Sequence, residues 1–123
     1  NWGYARLAEH TRKESIEEMQ HAQKVIDRIL YFDGAPNMQK YMKINVGKTV
    51  PEQFQSDLDV EYQAVPRLNR GIEVARAQGD NGTRALLEEI LADEEEHVDW
   101  LEAQLGMIRE IGADNYLAQQ IKD

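Results

Sequence analysis

Two short stretches decide how this sequence folds: EEMQHA, from Glu17 to Ala22, and EEEHVD, from Glu94 to Asp99. Each places a histidine three residues after a glutamate, so that Glu18 pairs with His21 and Glu94 with His97. Residues three apart on an α-helix are neighbours, separated by about 60° around the axis. The repeated Glu-x-x-His unit therefore predicts two helices that each carry a carboxylate and an imidazole on one face. Two of the chain's three histidines belong to it.

Working outward, apolar periodicity extends each unit into a long helix. Around the first, Leu7, Ala22, Val25, Ile29 and Phe32 share a stripe, predicting helix over about 2–32, stopped by Asp33-Gly34-Ala35-Pro36. Around the second, Leu86, Ile90, Leu101, Leu105 and Ile108 predict helix over 81–111, ended by Gly112. Between them Phe54, Leu58, Val65, Leu68 and Ile72 predict a third helix over 50–78, opened by the cap-like Thr49-Val50-Pro51-Glu52. Asp80-Asn81-Gly82-Thr83 reads as a tight turn that reverses the chain, and 113–122 reads as a short last helix or tail. Residues 33–49 lack helical periodicity. At about 3.3 Å per residue they can run the length of a helix, so they read as a crossover between parallel helices. The expected fold is all-α, a four-helix-bundle type of domain over 1–123.

Composition bounds the function. With 123 residues the chain makes one domain. The formal net charge of −9 argues against nucleic acid, whose phosphates need a basic footprint, and suits cationic partners. Cysteine is absent, which excludes disulfides and thiolate metal sites. Neither a signal peptide nor an apolar run of membrane-spanning length is visible, so the expected location is cytoplasmic, without membrane contact.

Placed on the stripes at about 100° per residue, Glu18, Glu61 and Glu94 each fall inward at mid-helix, and His21 and His97 lie one turn away, still facing the core. A carboxylate in a core costs several kcal/mol unless it is paired or binds a metal. Three of them need several positive charges, and the basic residues, such as Arg12, Lys13, Lys24 and Arg70, mostly fall off these stripes. A lone inward Glu or His is ordinarily a salt-bridged or hydrogen-bonded core residue. Three glutamates with two Glu-x-x-His pairs favour a metal site instead. Carboxylate and imidazole ligands without thiolate suit iron or manganese, with zinc possible. Di-metal bundles take one Glu from each of two helices and a Glu-x-x-His from each of two others. This chain supplies all but one single-Glu helix. It also starts without methionine and is helical almost from Asn1. The expectation is that a first helix, with one more ligand, was removed or comes from another chain.

Met19 lies about 100° around from Glu18, so it cannot share that core. It falls on a flanking apolar strip with Ile16, Ile26 and Leu30. An oligomer contact suits such a strip, and a thioether can also be an axial haem ligand. Geometry favours the contact.

The stretches ESIEEMQHA, SDLDVE and DEEEHVDWLE, with NWG at the start and NYLAQQI at the end, resemble the bacterioferritin family along the whole chain. The Glu-x-x-His pairs are common to ferritin-like di-iron proteins; a methionine between the glutamate and the histidine is specific to bacterioferritins. The resemblance implies bridging roles for Glu18 and Glu94, terminal imidazoles at His21 and His97, and a terminal carboxylate at Glu61. It implies that Met19, with its two-fold mate, ligates haem b shared by two subunits. It further implies hollow 24-subunit shells that bind two iron ions per subunit, oxidise Fe(II) with oxygen or peroxide (a ferroxidase) and store Fe(III) mineral. Lys13 and Glu17 stand where some members have a His and an Asp at an inner-surface iron site, which departs from the pattern. Two other readings remain: a different di-metal helical oxidase or peroxidase, and an inactive structural fragment of a shell.

Overall fold

The computed structural model describes residues 3–37 and 47–121. These form three long helices and a short one: α1 (Ala5–Tyr31), α2 (Val50–Ala77), α3 (Asn81–Ile111) and α4 (Ala113–Ala118). There is no strand among the described residues. The crossover expected over 33–49 falls largely on residues 38–46, outside the described residues, as do Asn1, Trp2 and Lys122.

Local chemistry sets the helix ends. Thr49 caps α2 by accepting a 3.3 Å hydrogen bond from the Glu52 amide. Asp80 caps α3 by accepting from the Thr83 amide at 3.1 Å. Between them α2 closes with the Gly79 amide donating to the Arg76 carbonyl and the Asp80 amide to the Ala75 carbonyl. That closure needs a left-handed residue, and Gly79 supplies it with φ +70°. At the end of α1 the same position falls to Asp33, with φ 60°.

Leu7 at the start of α1 meets Val50, Phe54 and Leu58 at the start of α2 and Leu101 and Leu105 near the end of α3. At the opposite end Arg28 of α1 donates to Asp80 and Thr83 at the start of α3, at 2.9 Å each. Thus α1 and α2 run in the same direction and α3 runs against both. α4 folds back so that Tyr116, only 1% exposed, seals the core under Phe54, their rings edge to face at 6.2 Å. The Arg6 amide, donating to the Gln120 carbonyl at 3.0 Å, ties α1 to this end. Each fully buried Leu or Phe here contributes about 1.5–3 kcal/mol, before entropy is subtracted.

The stripe read on α1 is covered unevenly. Leu7 is buried, Ala22, Val25 and Ile29 are half-buried, and Phe32 is 57% exposed. Phe32 lies beyond the last turn of α1, where the Arg28 guanidinium sits 4.9 Å from its ring centre.

Candidate metal centre

α3 forms the floor of the site. One turn of it presents Glu94, 4% exposed, and His97, 8% exposed, because both fall on the stripe that Ile90 and Leu101 bury. α2 brings Glu61 one turn beyond Leu58, and α1 brings Glu18 and His21. Ligand-type atoms of Glu18, Glu61, Glu94 and His97 all lie within 4.8 Å of one another. His97 Nδ1 is 3.4 Å from Glu18 Oε1 and 3.6 Å from Glu94 Oε2. His21 meets this group through Nδ1, 3.3 Å from Glu94 Oε1. Its other nitrogen belongs to a neighbouring group, Glu17, His21 and Asp93, again within 4.8 Å of one another.

The charge balance is unusual for an interior. Among the described residues no lysine or arginine pairs with these carboxylates: Lys24 holds Glu89 at 2.6 Å and Arg28 holds Asp80 at 2.9 Å, both off the site. Protons take the place of counter-ions. Partial burial, then the hydrogen bond and negative charge of Glu94, push Glu18 up to about 8. The same causes, with the charge of Glu18 added, push Glu61 up to about 9. Burial alone would raise Glu94 too, but hydrogen bonds from His97, Glu61 and Glu18 outweigh it and hold Glu94 well below the usual carboxylate range. His97 is raised to about 10, chiefly by its hydrogen bond to Glu94 and against the effect of burial. The layer therefore keeps one full carboxylate and fills its remaining positions with protons.

Two buried atoms of the layer have no hydrogen-bond partner, His21 Nδ1 and Glu61 Oε2. Such atoms are costly when nothing meets them. Donor atoms around one first-row cation at ~2.1 Å lie roughly 3–3.4 Å apart, close to the spacings found here. Carboxylate and imidazole donors without sulfur suit iron, manganese or zinc.

The three glutamates, all expected to fall inward, are buried to different extents. Glu94 is buried, Glu61 is half-buried, and the Glu18 side chain is 50% exposed. The cause is the face of α1 beside Glu18, which no described element covers. Met19 is 64% exposed, and Ile16 and Leu30 of the same flanking strip are exposed as well. Lys13 is exposed, while Glu17 Oε2 stands 3.4 Å from His97 Nε2. The third histidine, His10, stacks on Trp100 with ring centres 3.6 Å apart and hydrogen-bonds Glu14 at 2.7 Å, so it serves packing and a local hydrogen bond.

Sequence reasoning missed Asp93, whose Oδ2 is 2.7 Å from His21 Nε2. The signal was present. In both units the glutamate is itself preceded by an acid, Glu17 before Glu18 and Asp93 before Glu94.

With this geometry in view, residues 1–111 match the ferritin-like domain family. The chain is 49% identical over 119 residues to the bacterioferritin of Mycobacterium leprae (strain TN), covering 97% of this chain and 75% of that protein. It is 48% identical over 120 residues to the bacterioferritin of Streptomyces coelicolor (strain ATCC BAA-471 / A3(2) / M145), covering 98% and 72%. A solved structure of a mycobacterial bacterioferritin superposes with a TM-score of 0.94 at 49% identity, over 99% of this chain and 76% of that one.

Proposed function

Because the chain belongs to the ferritin-like family, and within it to the bacterioferritins, we infer that it stores iron. Relatives of this kind imply iron oxidation of the ferroxidase type and assembly into a multimeric shell. We extend that reading to residues. Glu18, Glu61, Glu94, His21 and His97 hold two Fe(II) ions, the substrate, with Glu18 and Glu94 bridging. Glu61 and His97 complete one position, and His21 belongs to the other. The observation that carries this is a layer of three glutamates with no lysine or arginine among the described residues to neutralise it. Two divalent cations neutralise it well, and bridging carboxylates hold such ions about 3.5–4 Å apart. Each ion gives up one electron, so a pair delivers two electrons together to dioxygen or peroxide. His97 and the two raised glutamates must release their protons as iron enters.

The His21 position is one ligand short within the described residues. The uncovered α1 face and the half-exposed Glu18 side chain together support a further helix packing against α1 here and bringing an inward carboxylate. Such a helix would bury apolar area contributing about 25 cal/mol per Å².

Met19 is the remaining proposal. Its side chain is 64% exposed, so Met19 would be available to hold haem b together with the same residue of a second subunit across a two-fold axis. Haem held there would supply a route for electrons. Met19→Leu roughly conserves volume and should assemble normally while losing the haem absorption band; stoichiometric haem in that variant would reassign Met19 to packing.

The central test is aerobic Fe(II) loading of the purified assembly, followed by iron counting per particle. A mineral-filled particle supports storage. About two ions per subunit and no mineral would instead mark a di-metal oxidase. Almost no iron would leave only a structural role.

A further inference from the structure

At the α4 end a cavity of about 340 Å³ opens between α1, α3 and the segment from α4 to Gln120. None of Glu18, His21, Glu61, Glu94 and His97 lines it. Leu7, Trp100, Met107 and Ile111 give it apolar walls, and Arg6, Gln104 and Gln119 bring hydrogen-bond donors. His10 closes one side with its ring stacked on Trp100. The lining holds no aspartate or glutamate, although the chain carries 23 acidic residues and a net charge of −9. Leu7 and Tyr116 are buried behind it, so the core is closed without an occupant here.

Arg6 is the cation of this cavity. Arg12, Arg28, Arg76 and Arg84 each hold a carboxylate of the chain, at 2.6 to 3.6 Å. Among the described residues no carboxylate pairs with Arg6. Its backbone is fixed by the amide, which donates to the Gln120 carbonyl at 3.0 Å, while the residue stays exposed. Its positive charge opposes the rise that burial gives the Tyr116 hydroxyl, which sets the guanidinium near that inner wall. Gln104 is oriented from the same wall, because Tyr116 donates its hydroxyl hydrogen to Gln104 Oε1. With that oxygen engaged, the end of the amide left to act is the NH2 group, which only donates. Glu14, bonded to His10 Nε2 at 2.7 Å, does not line the cavity.

We propose that this cavity binds a phosphate group, held by the Arg6 guanidinium and the Gln104 and Gln119 amides against the wall of Trp100 and Met107. A guanidinium fork matches two phosphate oxygens, and the neutral amides donate to the oxygens the fork leaves. A carboxylate has only two oxygens, which the fork alone satisfies. The volume lies at the low end of the roughly 300–1,000 Å³ of small-molecule sites. It admits inorganic phosphate with water, or a small phosphate monoester whose carbon part lies on the apolar wall. The donors come from α1, α3 and the segment after α4, so an occupant bridges all three. Nothing in this site depends on the metal centre.

The experiment is calorimetric titration of the iron-free assembled protein at constant ionic strength. The probes are inorganic phosphate, phenyl phosphate as a monoester, and acetate as a carboxylate. Saturable phosphate binding is expected, weakened about 10–100-fold by Arg6→Gln, the change one charged hydrogen bond carries. Arg6→Lys keeps the charge without the fork and should lose less. Gln104→Glu keeps the acceptor for Tyr116 but adds a carboxylate to the lining, so it should abolish binding. It also serves if Arg6→Gln fails to assemble. The melting temperature of the unmodified protein should rise with phosphate concentration, and that of Gln104→Glu should not. Tighter binding of phenyl phosphate would support the site as one for a monoester; equal or weaker binding would support free phosphate. No saturable binding of either would overturn the proposal. So would equal phosphate affinities in the unmodified, Arg6→Gln and Gln104→Glu proteins, or acetate binding as tight as that of phosphate.

Discussion

Two regions of the bundle use their interiors in opposite ways. At the α4 end Leu7, Val50, Phe54, Leu58, Leu101, Leu105 and Tyr116 close on one another, and Phe54 meets both Trp100 and Tyr116 edge to face. Nothing further is needed there. About two turns along the same helices, Glu18, Glu61, Glu94, His21 and His97 occupy the equivalent interior, with protons on Glu18, Glu61 and His97 in place of counter-ions and two atoms without a hydrogen-bond partner. The first region holds the helices in register. The second, arranged by the first, gathers acids and imidazoles without a lysine or arginine partner among the described residues, the feature on which the proposed metal centre rests. A bundle can tolerate such a layer because the apolar end supplies stability the layer does not.

The largest expected effect breaks the apolar side. Phe54→Ala removes the ring under Trp100 and Tyr116 and should lower unfolding stability by about 3–5 kcal/mol in urea denaturation followed by circular dichroism. A loss below about 1 kcal/mol would mean that this end does not hold the bundle together.

Glu61→Gln tests the opposite behaviour. In the metal-free protein Glu61 holds its proton up to about 9, so glutamine copies its neutral shape. Stability should change by less than about 1 kcal/mol. The initial rate of Fe(II) oxidation should fall about 100-fold or more, equivalent to roughly 3 kcal/mol, because an amide is a poor substitute for an anionic ligand. Equal rates in the two proteins would remove Glu61 from the centre.

Proton occupancy gives a third contrast. The folded values of Glu18, about 8, Glu61, about 9, and His97, about 10, all lie above their ordinary ones. The folded state then binds more protons than the unfolded state, and stability falls as pH rises. For the glutamates the fall runs from near 4.5 to about 9, and for His97 from 6.5 to about 10. Glu94, shifted down, loses its contribution only in more acid solution, below the ordinary carboxylate value. Thermal melting of metal-free protein should therefore drop between pH 6 and 9, and added Zn(II) should flatten or reverse the drop. A metal-free melting temperature that climbs across this range would contradict the proton-filled layer.

The smallest effect lies outside both regions. Asp33 ends α1 in the left-handed conformation at φ 60°, where Gly79 serves the same purpose for α2. Asp33→Gly should raise stability by about 0.5–1 kcal/mol and leave iron oxidation unchanged. A destabilised variant would show that the Asp33 side chain contributes more than its backbone strain costs.

The sequence alone determined what depends on neighbours along one helix. The spacing of Phe54, Leu58, Leu101 and Leu105 marks buried faces, and Glu-x-x-His fixes a carboxylate beside an imidazole, because 3.6 residues per turn permit little else. The all-α architecture was legible for that reason, as was the gathering of Glu18, Glu61, Glu94 and His97. What tertiary structure decided depends on the rotation and offset of one helix against another. Those set Asp93 rather than Glu17 at 2.7 Å from His21, and left Glu17 at 3.4 Å from His97. They left the Glu18 side chain half exposed while Glu94 was buried, although both sit in the same motif. Shifts of about an ångström between helices separate a hydrogen bond from a mere neighbour, and helical periodicity carries no information at that scale.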